Sequence, residues 1–147
     1  MSKINLKPHF QPPPQPVFAS VALLLLRLIA GTAFILHGWG KIQHPFDWMG
    51  TEAGVPGIFQ FLAALSEFGG GIAWVLGLLT PLASLGIAST MAVAVFFHLV
   101  LGGDPFVNDT GGPAYEPALV YFGISILVLA LGPGRFSLDA RVFGNRS

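Results

Sequence analysis

The chain has 147 residues, 53% of them hydrophobic and only 10% charged, and its seven basic and seven acidic side chains cancel. Soluble domains carry about 25% charged residues, so a soluble globular fold is disfavoured. The length holds one domain, and nothing in the charge speaks for nucleic acid. The absence of cysteine removes disulfides, thiol catalysis and cysteine-held metal clusters together.

Residues 1–16, MSKINLKPHFQPPPQP, are polar and Pro-rich. They predict an extended, solvated tail, because PPPQP cannot enter a helix. The first apolar segment covers 17–40 and includes LLLLRLIAGTAFILHGWG. A bilayer core of ~30 Å needs about 20 helical residues, so this run can span it. It does not suit a signal peptide: Arg27 interrupts it and more membrane sequence follows. The second segment, 57–79, is GIFQFLAALSEFGGGIAWVLGLL, and Thr80-Pro81 turns the chain into the third, 82–101. The fourth, 116–131, has Pro117 in its first turn, where the missing N–H costs nothing. The fold class predicted is all-α, an integral membrane four-helix bundle. The transmembrane domain is 17–133, and a polar tail covers 134–147.

Lys3 and Lys7 precede the bundle and Arg135, Arg141 and Arg146 follow it, whereas the 102–115 loop has Asp104 and Asp109 and no basic residue. The positive-inside rule places both termini in the cytoplasm. Trp39, Trp48 and Tyr115 fall where an outer interfacial belt is expected. HPFD at 44–47 and DPFV at 104–107 are a faint echo of an internal hairpin repeat. Small residues in EFGGG, and Ser84, Ala88 and Ala92 at four-residue spacing, read as close helix packing.

The ionisable residues inside the spans are few. Arg27 and Glu67 each lie ten residues into antiparallel neighbours, which puts both about 15 Å deep and predicts a buried ion pair between them. His37 and Lys41, four apart, share a helix face. His98 near the outer end of helix 3 and Glu116 at the start of helix 4 share their depth. These four residues predict a polar pocket open outward, fit to bind a ligand or relay protons. Each has a plainer role. Arg27–Glu67 would fix helix pairing, Lys41 would snorkel, His98 would bond a carbonyl, and Glu116 would sit at a favourable helix end. Their common depth argues for the pocket.

The stretches LLRLIAGTAFILHGWGKI, EFGGGIAWVLGLLTPLA, Tyr115-Glu116 and GPGRFSLD, in this order, resemble the DoxX family of small bacterial and archaeal membrane proteins. The resemblance runs from about Leu24 to Asp139; the Pro-rich N-terminus is outside the usual pattern. It implies a four-helix bundle in the cell (inner) membrane. Some relatives are subunits of a thiosulfate:quinone oxidoreductase and others associate with redox and thiol-stress partners. Two function classes follow. One is a quinone-interacting or accessory subunit of a membrane redox complex, with electrons supplied by a partner because the chain holds no iron–sulfur cluster. The other is a non-enzymatic binding or transport protein for a small polar or anionic solute. Haem b held by His37 and His98 is a weaker third idea, and no metal site is read. The lipid bilayer is the one certain partner; a redox subunit and a second copy of the chain are left open. Whether the protein is itself an enzyme is not fixed by the sequence.

Overall fold

The computed structural model describes residues 10–144. Lys3, Lys7 and Arg146, three of the basic residues that orient the chain, lie outside them. The molecule is an all-helical bundle, with no strand among the described residues. Its elements are α1 (Val17–Gln43), α2 (Gly57–Leu76), α3 (Thr80–Phe96), α4 (Glu116–Leu131) and a short α5 (Leu138–Phe143). A 3₁₀ turn, Thr51–Ala53, sits in the α1–α2 loop, and α3 runs on without a break into a π-helical stretch, Phe97–Gly102. Three helices are long and apolar enough to cross a membrane; α4 is apolar but shorter. At 16 residues it is about 24 Å long, a few Å short of a hydrocarbon core of ~30 Å. Phe18, Ile29, Leu36, Ile58, Leu82 and Leu85 are among many large apolar side chains on the bundle surface, far beyond the patch a soluble monomer exposes.

The helix ends differ from the sequence expectation for local reasons. Helix α1 passes through Gly40, where the first span was expected to stop, and ends at Gln43. The residue before a proline avoids the α region, and His44-Pro45 follows. Helix α2 stops three residues early, at Leu76. Gly77 there takes φ 65°, and the Leu78 N–H reaches Ala73 O at 2.9 Å while the Gly77 N–H reaches Trp74 O at 3.1 Å. This is a Schellman cap, which glycine enters without steric cost.

Helix α1 packs along α2, and α3 packs along both α2 and α4. The α1–α2 contact is close because glycines face it. A Cβ at Gly31 would lie 2.8 Å from Gly71 O, one at Gly71 2.7 Å from Gly31 O, and one at Gly38 2.8 Å from Phe68 Cα. Gly70 turns instead toward Ile87 of α3. The core comprises Ala30, Phe34, Trp74, Ile87, Met91 and Val128. Ser84 and Ala88 are buried in the α3 seam as the spacing suggested, and the Ser84 Oγ accepts the Trp74 indole N–H at 2.9 Å. Ala92 faces outward.

The end of the bundle that carries both tails is closed by the C-terminal segment. Asp139 accepts the backbone N–H groups of Leu79 at 2.7 Å and Thr80 at 2.9 Å, an anion on the start of α3 where the helix dipole favours it. Its own N–H donates to Gly77 O at 2.8 Å. Leu79 has φ 49°, a conformation unfavourable to a residue with a Cβ, and the two carboxylate bonds hold it there. Arg27 is fully buried and donates from Nη1 to Trp74 O at 2.9 Å and from Nη2 to Phe136 O at 2.7 Å. The expected Arg27–Glu67 pair does not form. The α1–α2 glycine register brings Arg27 level with the end of α2. Equal residue counts gave the wrong depth, because α1 starts well outside the span of its neighbour.

The Pro-rich stretch is extended as expected but only partly solvated: Pro14 and Pro16 are exposed, whereas its start is covered. Pro12 is fully buried, Phe10 stacks on Phe143 with ring centres 5.2 Å apart, and Gln11 Nε2 donates to Phe143 O at 2.9 Å.

Gly38→Ala forces a methyl group onto the Phe68 backbone. It should destabilise the bundle by about 1–3 kcal/mol, the usual cost of overpacking. Gly69→Ala, whose new Cβ would meet only Leu65 Cδ1 at 3.4 Å, should be near neutral. The fraction of each detergent-solubilised variant that stays monodisperse after a heat ramp measures the difference.

Candidate functional site

At the opposite, loop-bearing end, α1 delivers Lys41 to α2. Lys41 Nζ donates to both oxygens of Glu67, at 2.6 and 2.7 Å. The Glu67 side chain is only 4% exposed and that of Lys41 26%. The pair is therefore closed to solvent on the carboxylate side and half-open on the ammonium side. A buried charge needs a partner of this kind. Lys41 also lies over the Trp48 ring, 4.6 Å from its centre, a cation–π contact that helps fix the ammonium group. Trp48 is held in turn: its indole N–H donates to Gln60 O at 2.9 Å. The Gln60 side chain accepts the Met49 N–H and donates to Val55 O, both at 2.9 Å. The 44–56 loop is thus tied down over the pair, and Trp48 belongs to the site.

His98 comes from the π-helical stretch. Such stretches interrupt the α-helical ladder and recur at functional sites. Its Nδ1 is 2.7 Å from Asp104 Oδ2. A carboxylate oxygen accepts, so Nδ1 carries the hydrogen and Nε2 remains as the free ring nitrogen. The Asp104 N–H returns to His98 O at 2.9 Å, which fixes both ends of the contact. His37 is exposed on α1 and meets Tyr121 of α4 edge-on, ring centres 6.4 Å apart.

Three hollows meet at the ion pair. One of about 280 Å³ is lined by Phe34, His37, Lys41, Glu67, His98 and Tyr121, with Met91, Ala94 and Ala118 as apolar wall. A second of about 630 Å³ lies on the other side of Glu67, between α2 and α3, and also reaches Lys41 and His98. A third of about 410 Å³ opens at the loop surface among His37, Lys41, His44, Asp47 and Trp48. Lys41 borders all three.

Of the pocket residues expected from the sequence, His37, Lys41 and His98 come together here. Glu116 does not. It starts α4, its N–H bonded to Phe106 O at 3.1 Å, while its neighbours Pro117 and Ala118 line the cavity. Glu67 is the carboxylate of the site. Asp104, Trp48 and Tyr121 were not singled out beforehand as site residues. The signal for Asp104 was present in its sequence distance from His98 across GG, which permits a tight return. Nothing local marked Tyr121, because only the bundle brings it to α1.

The sequence model of the DoxX family matches residues 22–99 of this chain. Among characterised proteins, the chain is 34% identical over 125 residues to the Inner membrane protein YqjF of Escherichia coli (strain K12), covering 81% of this chain and 90% of that protein. No solved structure matches it.

Lys41→Met alone leaves the Glu67 carboxylate buried without its cation. It should lower the folded yield by the equivalent of about 3 kcal/mol, the lower end for breaking a buried pair, because Lys41 is partly exposed. The double change Lys41→Met/Glu67→Leu should recover much of that loss. Membrane-extracted, monodisperse protein quantified for the parent, both single variants and the double closes the cycle; strictly additive losses would mean that the two side chains are not coupled.

Proposed function

The chain belongs to the DoxX family and is a multi-pass inner-membrane protein, and from that premise we propose that the cavity at Lys41–Glu67 binds a quinone headgroup for a membrane redox complex of which this chain is a subunit or accessory. The observation that carries the reading is the convergence of Lys41, Glu67 and His98, from three helices, on one apolar-walled cavity. Ligand pockets run from about 300 to 1,000 Å³; this one, near the lower limit, suits a single ring. A quinone supplies two-electron, two-proton redox chemistry when bound. The residues of this chain would act around it. Lys41 donates a hydrogen bond toward a carbonyl oxygen, with Glu67 holding the ammonium in place. The free Nε2 of His98 accepts or returns a proton, its ring fixed by Asp104. Phe34 and Met91 exclude water from one face. Electrons come from a partner, since a chain without cysteine holds no iron–sulfur cluster. A thiosulfate- or thiol-linked partner is the family's precedent.

A second reading has its own observation. The 410 Å³ hollow with His37, His44, Lys41 and Asp47 opens at the loop end and would admit a small polar or anionic solute without redox chemistry. The Lys41 charge is already neutralised by Glu67, which weakens the case for an anion.

Quinone measured in a lipid extract of the purified protein tests the choice. The parent should retain quinone above the level of an unrelated four-helix membrane protein. Glu67→Gln and His98→Gln, which keep size and polarity, should fold and lose most of it. Parent protein carrying no more than the control would remove the quinone reading.

The orientation belongs to the same proposal: both termini in the cytoplasm and the ion pair near the outer face. Arg135 and Arg141 lie at the tail end, and Asp104 and Asp109 at the loop end. The chain lacks cysteine, so Asp109→Cys provides a single thiol. It should react with a membrane-impermeant reagent on intact cells, and reaction only after lysis would invert the bundle.

A further inference from the structure

We infer that the ligand enters sideways from the bilayer and lies with one long hydrocarbon chain along the groove between α2 and α3. This rests on the Lys41–Glu67–His98 headgroup reading proposed above, approached here from the α2–α3 side of Glu67, where the hollow of about 630 Å³ borders the same three side chains, and it adds the rest of the molecule that the site would take. The hollow of about 630 Å³ that reaches Lys41, Glu67 and His98 does not end at the loops. A further hollow of about 500 Å³ shares Phe59, Ala63, Thr90, Val93 and Phe97 with it and continues to Ser66 and Gly86. A third, about 460 Å³, shares Ser66 and Gly86 with the second and continues past Gly69 to Ala73 and Leu79. The three form one groove. From Phe59 to Ala73 it follows α2 for fourteen residues (73 less 59), about 21 Å of helix in a hydrocarbon core of ~30 Å.

The groove walls are largely apolar, with the Ser66 hydroxyl beside Gly86 as the polar exception. The Ser89 and Thr90 hydroxyls are turned back onto Leu85 O and Gly86 O, at 2.9 and 3.1 Å. Its width comes from small residues, Gly69, Ala73, Ala83 and Gly86. Its floor is closed, because Gly70 lies directly against Ile87. A helix about 10–12 Å across does not enter a furrow between two helices already in contact, and the narrow floor suits one chain rather than the paired chains of a phospholipid. At its loop end the furrow meets the buried ion pair. A compact hydrogen-bonding head on a single hydrocarbon chain matches both ends, and an isoprenoid quinone is that class of molecule.

The test compares two probes on the full chain reconstituted in phosphatidylcholine vesicles: a quinone with a long isoprenoid chain and the same ring without a chain. Gly69→Leu places a branched side chain in the furrow, where the structure leaves its Cβ only an ordinary contact with Leu65. It should weaken retention of the long-chain quinone about tenfold, within the range that overpacking by a few carbons implies, and leave the chain-free ring unchanged. Ala73→Leu, lower in the same furrow, should do the same and serves if Gly69→Leu does not fold. Glu67→Gln should weaken both probes alike. If the furrow variants change neither probe, or both equally, the chain does not lie there, and the headgroup site stands without it. If the parent binds neither probe, the headgroup reading falls and takes the groove with it.

Discussion

The register of α1 against α2 decides which ionisable groups meet. Gly31, Gly38 and Gly71 let the two backbones touch, and a contact between backbones cannot slide by a turn as one between flexible side chains can. Once these points are fixed, Lys41 falls beside Glu67 and Arg27 falls beside the end of α2. The two charged levels of the bundle are consequences of this one apolar, small-residue contact. In lipid no hydrophobic force selects between alternative helix registers, so packing and polar pairing must do so together.

The two levels differ in kind. At the tail end Arg27 bonds only to backbone carbonyls and Asp139 only to backbone N–H groups. The charges there complete helix ends, and the compact, turn-rich segment GPGRFSLD supplies Asp139 and the Phe136 carbonyl that Arg27 holds. At the loop end the charged groups bond to one another, border open volume and include histidine. A site that exchanges ligands or protons needs groups left partly free, and His98 Nε2 and the exposed side of Lys41 meet that description.

Much of the fold was legible because membrane helices announce themselves by length and apolarity, and α4 with Pro117 in its first turn was marked at both ends. The ends of α1 and α2 were not. Gly40 resembled a stop but has open space around it and is simply tolerated, whereas Gly77, inside an apolar run, is the true cap. The members of the polar site were readable one by one, since ionisable residues in a span are rare. Their partners were not, because a residue count from each helix start assumes that both helices begin at the same depth. Twenty-seven residues of α1 against twenty of α2 break that assumption, and with it the Arg27–Glu67 pairing. Glu116 starts α4 beside the cavity but does not line it, an outcome that only the packing of α4 on α3 determines. The Pro-rich stretch was judged by its own composition, but Pro12 and Phe10 find cover on α5 and the chain that follows α4.

The left-handed turn at Leu79 has a bearing on biosynthesis. The carboxylate that holds it lies 60 residues further along the chain. Asp139 is translated after both helices of the hairpin, so the bend between them stays unsecured until that residue has been made. The bend closes only when the last part of the chain arrives and docks beneath the bundle. The turn between α2 and α3 thus depends on a polar residue made near the end of synthesis, which turns an open hairpin into a finished one.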